Sequence, residues 1–185
     1  ICEDLWAPIQ PSTLAAMAGA TLICNLSASN IVIGKAEYRR LLVKASSGRN
    51  ICGYIYCSAG EGESTTDMAW DGHMIVAENG TIVEESTRFS AESSCIITDL
   101  DLEKLQFERL RNNSFRDSAA SCCQSNSKFR TVEFDCAELV TGELPLMRRI
   151  PRFPYVPDED SERNARCEEV LNIQVQGLYT RLKAT

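Results

Sequence analysis

The apolar positions of this chain fall into short runs of two kinds. Ala20 to Leu26 and Ile51 to Cys57 are largely apolar stretches of strand length, which predict buried strands. Between them, Lys35 to Ser46 has helical spacing, with Tyr38, Leu41, Leu42 and Ala45 on one face and Gly48 as its stop. Pro11-Ser12 opens a shorter helix, Thr13 to Ala18, which Gly19 closes. His73 to Glu85 reads as a hairpin in which Met74–Ala77 and Thr81–Val83 flank Asn79-Gly80, a pair suited to the primed turn of a two-residue hairpin. Cys95 to Asp99 predicts a further strand and Leu102 to Leu110 a helix.

Beyond residue 113 the pattern changes. Residues 114–144 are polar with scattered aromatics and read as an extended arm. Residues 145–157 hold Pro145, Pro151, Pro154 and Pro157, the composition of a linker. Helical spacing returns over 158–185, with Cys167, Val170, Leu171, Val175, Leu178 and Leu182 on one face. Asp158 and Asp160 suit the positive end of that helix. The expected organisation is an α/β unit over 1–113, an arm, a Pro-rich hinge and one trailing helix. The chain opens on Ile1 in a strand-like start and closes just after the helical pattern, so both ends read as cut from something longer.

Composition narrows the function classes. The 185 residues are 44% hydrophobic and 24% charged, which suits an ordinary globular domain rather than a disordered chain. A net charge of -7 argues against a general nucleic-acid binder, and no apolar stretch approaches the length of a membrane span. Nine cysteines in a chain without a signal peptide read as reduced thiols of a cytoplasmic protein. The tripeptides beginning at Asn25, Asn79 and Asn112 are then incidental matches to a glycosylation signal.

Cys2 is the first candidate for chemistry. It ends a strand-like start and precedes Glu3-Asp4-Leu5-Trp6 and the turn prolines Pro8 and Pro11. A thiol at a sharp strand exit beside backbone N–H groups can attack a carbonyl and have the oxyanion held. By composition alone the reading as a small buried apolar residue wins, because a nucleophilic thiol needs an activating base and the only histidine, His73, lies in the hairpin region. His73 has no second ligand type near it in sequence, and the cysteine spacings do not suit structural zinc. Gly60-Glu61-Gly62 lacks the helix signal of a phosphate cradle and reads as a loop.

Ile1-Cys2-Glu3-Asp4-Leu5-Trp6 resembles the nucleophile motif of the nitrilase superfamily, in the form found in the glutaminase domain of glutamine-dependent NAD synthetases. The resemblance continues through Asn25-Leu26-Ser27-Ala28-Ser29, Gly34-Lys35-Ala36-Glu37-Tyr38-Arg39-Arg40 and the stretch Thr65 to His73. It extends through Ala77-Glu78-Asn79-Gly80, the linker Pro151 to Pro157 and the helix segment Asn172 to Leu178. It implies an α/β fold, the α-β-β-α sandwich of the nitrilase (carbon–nitrogen hydrolase) type. This chain would supply about half of it, followed by the linker and the first helix of an α/β ATP-binding synthetase domain. It implies a Cys–Glu–Lys triad in which only Cys2, the nucleophile, belongs to this chain; the Glu and Lys precede it in the family. Glu3 would contribute its backbone N–H to the oxyanion, Trp6 an aromatic wall, and Ser29 and Lys35 the grip on the amino-acid end of glutamine. The family commonly has Arg where Lys35 stands, and Lys cannot form the same bidentate fork. The function implied is glutamine hydrolysis through a Cys thioester that supplies ammonia for ATP-dependent amidation of deamido-NAD. ATP and Mg2+ would serve the complete enzyme and no cofactor would bind this segment; a homo-oligomer, without nucleic acid or membrane, is expected. A stand-alone carbon–nitrogen hydrolase and a non-catalytic interaction piece are the alternatives.

Overall fold

The computed structural model describes residues 1–63, 67–122, 129–135, 145–148, 150, 153, 155–157 and 159–184. Two compact units, Ile1–Arg148 and Arg149–Thr185, divide the chain. In the first, a 3-10 turn over Cys2–Leu5 is followed by α1 (Pro11–Met17), β1 (Leu22–Ser27), α2 (Lys35–Asn50) and β2 (Gly53–Ser58). The hairpin β3 (Met74–Glu78) and β4 (Thr81–Glu85) comes next, then α3 (Leu102–Arg111) and α4 (Asn113–Ser121). The strands form one sheet in the order β1-β2-β3-β4, with β1 parallel to β2 across the α2 crossover and the remaining pairs antiparallel.

Alternation along the strands sets two faces. Val43 of α2 packs with Tyr54, Tyr56, Ile75, Ala77, Cys52 and Leu5 in the core, and Ile23 joins them. The opposite face of β1 carries Leu22, Cys24 and Leu26, all exposed. A sheet covered by a helix on one face, with the apolar residues of its β1 exposed on the other, is what half of a four-layer sandwich presents.

Local chemistry explains most boundaries. Asn79 and Gly80 both have positive φ, 46° and 84°, as the primed turn requires. Helix α2 runs past the expected stop at Gly48 and ends at Ile51, which is itself left-handed at φ 45°. Gly48 serves another purpose: a Cβ there would stand 3.1 Å from the Gly80 Cα, so the glycine admits the hairpin turn against the helix. Ser47 fastens the same junction, its hydroxyl donating to the Cys52 carbonyl at 2.7 Å and accepting from the Gly80 N–H at 3.3 Å. Arg109 of α3 donates to the carbonyls of Ile51 (2.9 Å), Ala20 (2.7 Å) and Asn50 (3.1 Å), so a cation meets the negative end of α2.

Three expectations need correction. The buried face of α2 is Ala36, Arg39, Val43, Ser46, Ser47 and Asn50, whereas Tyr38, Leu41 and Ala45 are exposed. The polar residues of this face have buried polar partners: Arg39 pairs with Asp71, Ser46 donates to Gln10 and Ser47 donates to the Cys52 carbonyl. Cys95–Asp99 is not a strand: next to it the Asp101 N–H donates to Glu78 (2.7 Å), and Asp99 accepts the Met147 N–H (2.5 Å), side-chain bonds in place of a ladder. Part of the expected arm is helix α4, whose first turn is capped by the Asn112 side chain accepting from the Phe115 N–H at 2.8 Å.

The rest of the arm lies partly outside the described residues, as do Pro151 and Pro154 of the linker. The second unit is built on α5 (Asp160–Ala184), whose residues Val170, Leu171, Val175, Leu178 and Leu182 are exposed. Among the described residues, no helix is long and apolar enough to cross a membrane.

Candidate functional site

The 3-10 turn that carries Cys2 is anchored from three sides. Leu5 is fully buried in the core. Gln10 donates to the Leu5 carbonyl at 2.6 Å and accepts from Ser46 of α2 at 2.8 Å. The Cys2 N–H donates to the Asn25 side-chain oxygen on β1 at 2.9 Å. Cys2 sits at φ 51°, in the left-handed region that a side chain rarely adopts, and its thiol is partly accessible. The N–H of Glu3 lies at the start of the turn, one residue before the Asp4 N–H that makes the first bond of the turn, to the Ile1 carbonyl at 3.2 Å.

A cleft opens beside this turn, lined by Cys2, Glu3, Trp6, Ser29, Asn30 and Lys35. All five residues singled out in the sequence (Cys2, Glu3, Trp6, Ser29 and Lys35) are therefore brought together, although the chain between Trp6 and Ser29 folds through α1 and β1. The β1 exit places Ser29, and the first position of α2 places Lys35. The Lys35 ammonium donates to the Asn30 carbonyl at 2.6 Å and the Asn30 side-chain oxygen at 3.3 Å, and lies 5.4 Å from the Trp6 ring centre. Trp6 in turn meets Tyr38 at 5.4 Å between ring centres. Burial, then the nearby Arg39 cation, lower the Lys35 pKa, while Cys2 and Asp71 oppose the shift.

Beneath the cleft lies a charged cluster that sequence reasoning missed. Arg39 and Asp71 are both fully buried and pair at 2.9 and 3.1 Å. Arg39 also donates to the Ser29 carbonyl at 3.4 Å and to His73 Nδ1 at 3.0 Å, and its guanidinium stacks 5.2 Å from the Tyr56 ring. A guanidinium has no acceptor, so His73 Nδ1 is unprotonated and Nε2–H donates to Glu85 at 2.6 Å. Burial pushes the His73 pKa down, against the Glu85 carboxylate that pushes it up. Burial acts to raise the Glu85 pKa, but hydrogen bonds from Arg40 and His73 outweigh it, and the carboxyl titrates below its ordinary range. The available signal was the helical spacing of Ala36, Arg39, Val43, Ser46 and Asn50, a face of small and polar residues rather than apolar ones.

No protein-family model matches the chain. A carbon–nitrogen hydrolase from Helicobacter pylori G27 superposes with a TM-score of 0.52 at 14% identity, over 71% of this chain and 48% of that one, which shows the fold. The glutamine-dependent NAD(+) synthetase of Mycobacterium tuberculosis (strain ATCC 25618 / H37Rv) is 45% identical over 184 residues, 100% of this chain and 27% of that protein. The corresponding human protein is 34% identical over 171 residues, 90% of this chain and 23% of its own length. The chain spans about a quarter of the length of the curated relatives it matches. It is a homologue of the glutamine-dependent NAD(+) synthetases along its whole length, with the nitrilase-type fold of the carbon–nitrogen hydrolases.

Proposed function

We propose that this chain is the nucleophile-bearing segment of a glutamine-hydrolysing NAD synthetase, in which Cys2 releases ammonia from glutamine for the amidation of deamido-NAD. The observation that carries the reading is the cleft itself. A thiol on a strained, anchored turn shares one recess with an ammonium, a hydroxyl and an aromatic wall. Glutamine presents a zwitterion at one end and a carboxamide at the other. Lys35 and Ser29 suit its carboxylate, Trp6 covers its methylenes, and the carboxamide carbon meets Cys2.

In this reading the Cys2 sulfur bonds to the carboxamide carbon as the thiol proton leaves for a carboxylate base. The Glu3 N–H holds the oxyanion. The carbon–nitrogen bond breaks, the base returns the proton to the departing ammonia, and water then cleaves the glutamyl thioester to glutamate and the free thiol. The base and the assisting lysine of the family precede the nucleophile, so the 185 residues alone are proposed to be inactive. ATP and Mg2+ are assigned to chain outside this segment. The cysteines at 2, 24, 52, 57, 95, 122 and 167 are all free, which supports a reducing, cytoplasmic setting.

The test is covalent labelling of the full protein that carries this segment with an electrophilic diazoketone analogue of glutamine, followed by peptide mapping. One adduct on Cys2, prevented by excess glutamine, is expected. Labelling spread over other cysteines, or unaffected by glutamine, would overturn the proposal.

A further inference from the structure

We infer that Asn25 is the positioning residue of the nucleophile: its side-chain amide holds the left-handed Cys2 in place and presents the thiol to the cleft. The inference rests on the reading of Cys2 as nucleophile. Asn25 lies in β1, 23 positions from Cys2, and is 3% exposed. Its oxygen accepts the Cys2 N–H at 2.9 Å and the Ser27 hydroxyl at 2.9 Å, and its NH2 donates to the Tyr54 hydroxyl at 3.0 Å. A backbone N–H can only donate, so the side-chain oxygen must face Cys2 and the NH2 must face Tyr54. Tyr54 is 1% exposed and belongs to the core, so the amide has a fixed support.

A residue at φ 51° persists only where its surroundings hold it. The Asn25 amide bonds the Cys2 backbone from β1, a strand paired along its whole length with β2. Removing it releases the turn toward an ordinary φ. Rotation about the Cys2 backbone then moves the sulfur relative to the Glu3 N–H, which is a loss of alignment rather than of substrate grip. The hydrogen bonds of the Asn25 side chain go to Cys2, Ser27 and Tyr54 and not to Ser29 or Lys35, so substrate binding and thiol placement are separable.

The experiment uses the full protein that carries this segment, with Asn25→Leu and Asn25→Asp. Three quantities are read: kcat and KM for glutamine hydrolysis, synthesis driven by free ammonia, and the pH profile of Cys2 alkylation by iodoacetamide, resolved by peptide mapping. For Asn25→Leu, kcat is expected to fall about a hundredfold with KM within about threefold, the pattern of misplaced reacting groups. Ammonia-driven synthesis should be retained. Asn25→Asp keeps the acceptor for the Cys2 N–H, so kcat should stay within about tenfold. Its carboxylate beside the thiol should move the alkylation profile to higher pH. A kcat within threefold of wild type in Asn25→Leu would overturn the inference. If Asn25→Leu loses ammonia-driven synthesis as well, Asn25→Asp decides: an unshifted alkylation profile there overturns the inference. A wild-type protein that hydrolyses no glutamine would refute the functional reading, while the dependence of Cys2 alkylation on Asn25 would still judge the clamp.

Discussion

The Arg39–Asp71 pair offers the sharpest test of how the site is supported. Both side chains are at 0% exposure, and they meet through two hydrogen bonds. Replacing Arg39 by Met leaves Asp71 buried with Arg88, 3.6 Å away, as its remaining ion-pair partner among the described residues. Breaking a buried pair costs about 3–5 kcal/mol, because one charge remains uncompensated. The residual Arg88 contact places this case near the lower bound. The assay is thiol labelling of Cys52 under native conditions in the full protein that carries this segment. Cys52 is fully buried, and burial raises its pKa to about 11, so it reacts only when this unit opens. A loss of about 3 kcal/mol accelerates that labelling roughly a hundredfold, at about 1.4 kcal/mol per decade. The double replacement Arg39→Met with Asp71→Leu removes both charges and should label within about tenfold of wild type, since apolar substitutes for a whole pair are often neutral. A single Arg39→Met that accelerates labelling less than about fivefold, or a double variant as fast as the two singles multiplied, would refute the reasoning.

Two further outcomes follow from the same geometry. Lys35→Ala in the full protein should raise the KM for glutamine about ten- to a hundredfold, with a smaller effect on kcat, because a charge-assisted bond to an unreactive part of the substrate is worth about 1.5–3 kcal/mol; an unchanged KM would make Lys35 a surface cation tied to Asn30. His73 is held neutral, its pKa lowered chiefly by burial. An unfolded histidine takes a proton near pH 6.5, so as pH falls through that value the unfolded state gains a proton the native state refuses, and stability declines until the lower native pKa is reached. Cys52 labelling, normalised to an exposed thiol, should therefore rise on acidification below about pH 6.5, and His73→Gln should flatten that rise; an unaltered slope in the variant would contradict the assignment.

The sequence was most legible where the determinant is local. Asn79-Gly80 placed a hairpin turn that is present with both residues at positive φ, because that turn type depends on two residues. The five candidate site residues converge on one cleft, since motif order preserves topology even where packing is unknown. Legibility failed where a distant partner decides. Gly48 looks like a helix stop, yet its role is to let Gly80 approach. Tyr38 and Leu41 look like core, but Asp71 and His73 receive Arg39 and Gln10 receives Ser46, so those polar residues turn inward instead. The short apolar segment at Cys95 fits a strand by pattern, whereas a strand also needs an adjacent edge. Asn25 was visible only as part of a motif; its bond to the Cys2 N–H requires the turn and β1 to be placed together.

The division of labour at Cys2 tests the central claim most directly. In the full protein that carries this segment, Cys2→Ala removes the sulfur that would form the thioester while leaving the Cys2 backbone bond to Asn25 available. NAD formation is then measured with glutamine and, separately, with free ammonia as the nitrogen source. Loss of the glutamine-driven reaction with the ammonia-driven reaction kept near wild type is the predicted result. Equal loss of both, or persistence of the glutamine-driven reaction, would contradict the account.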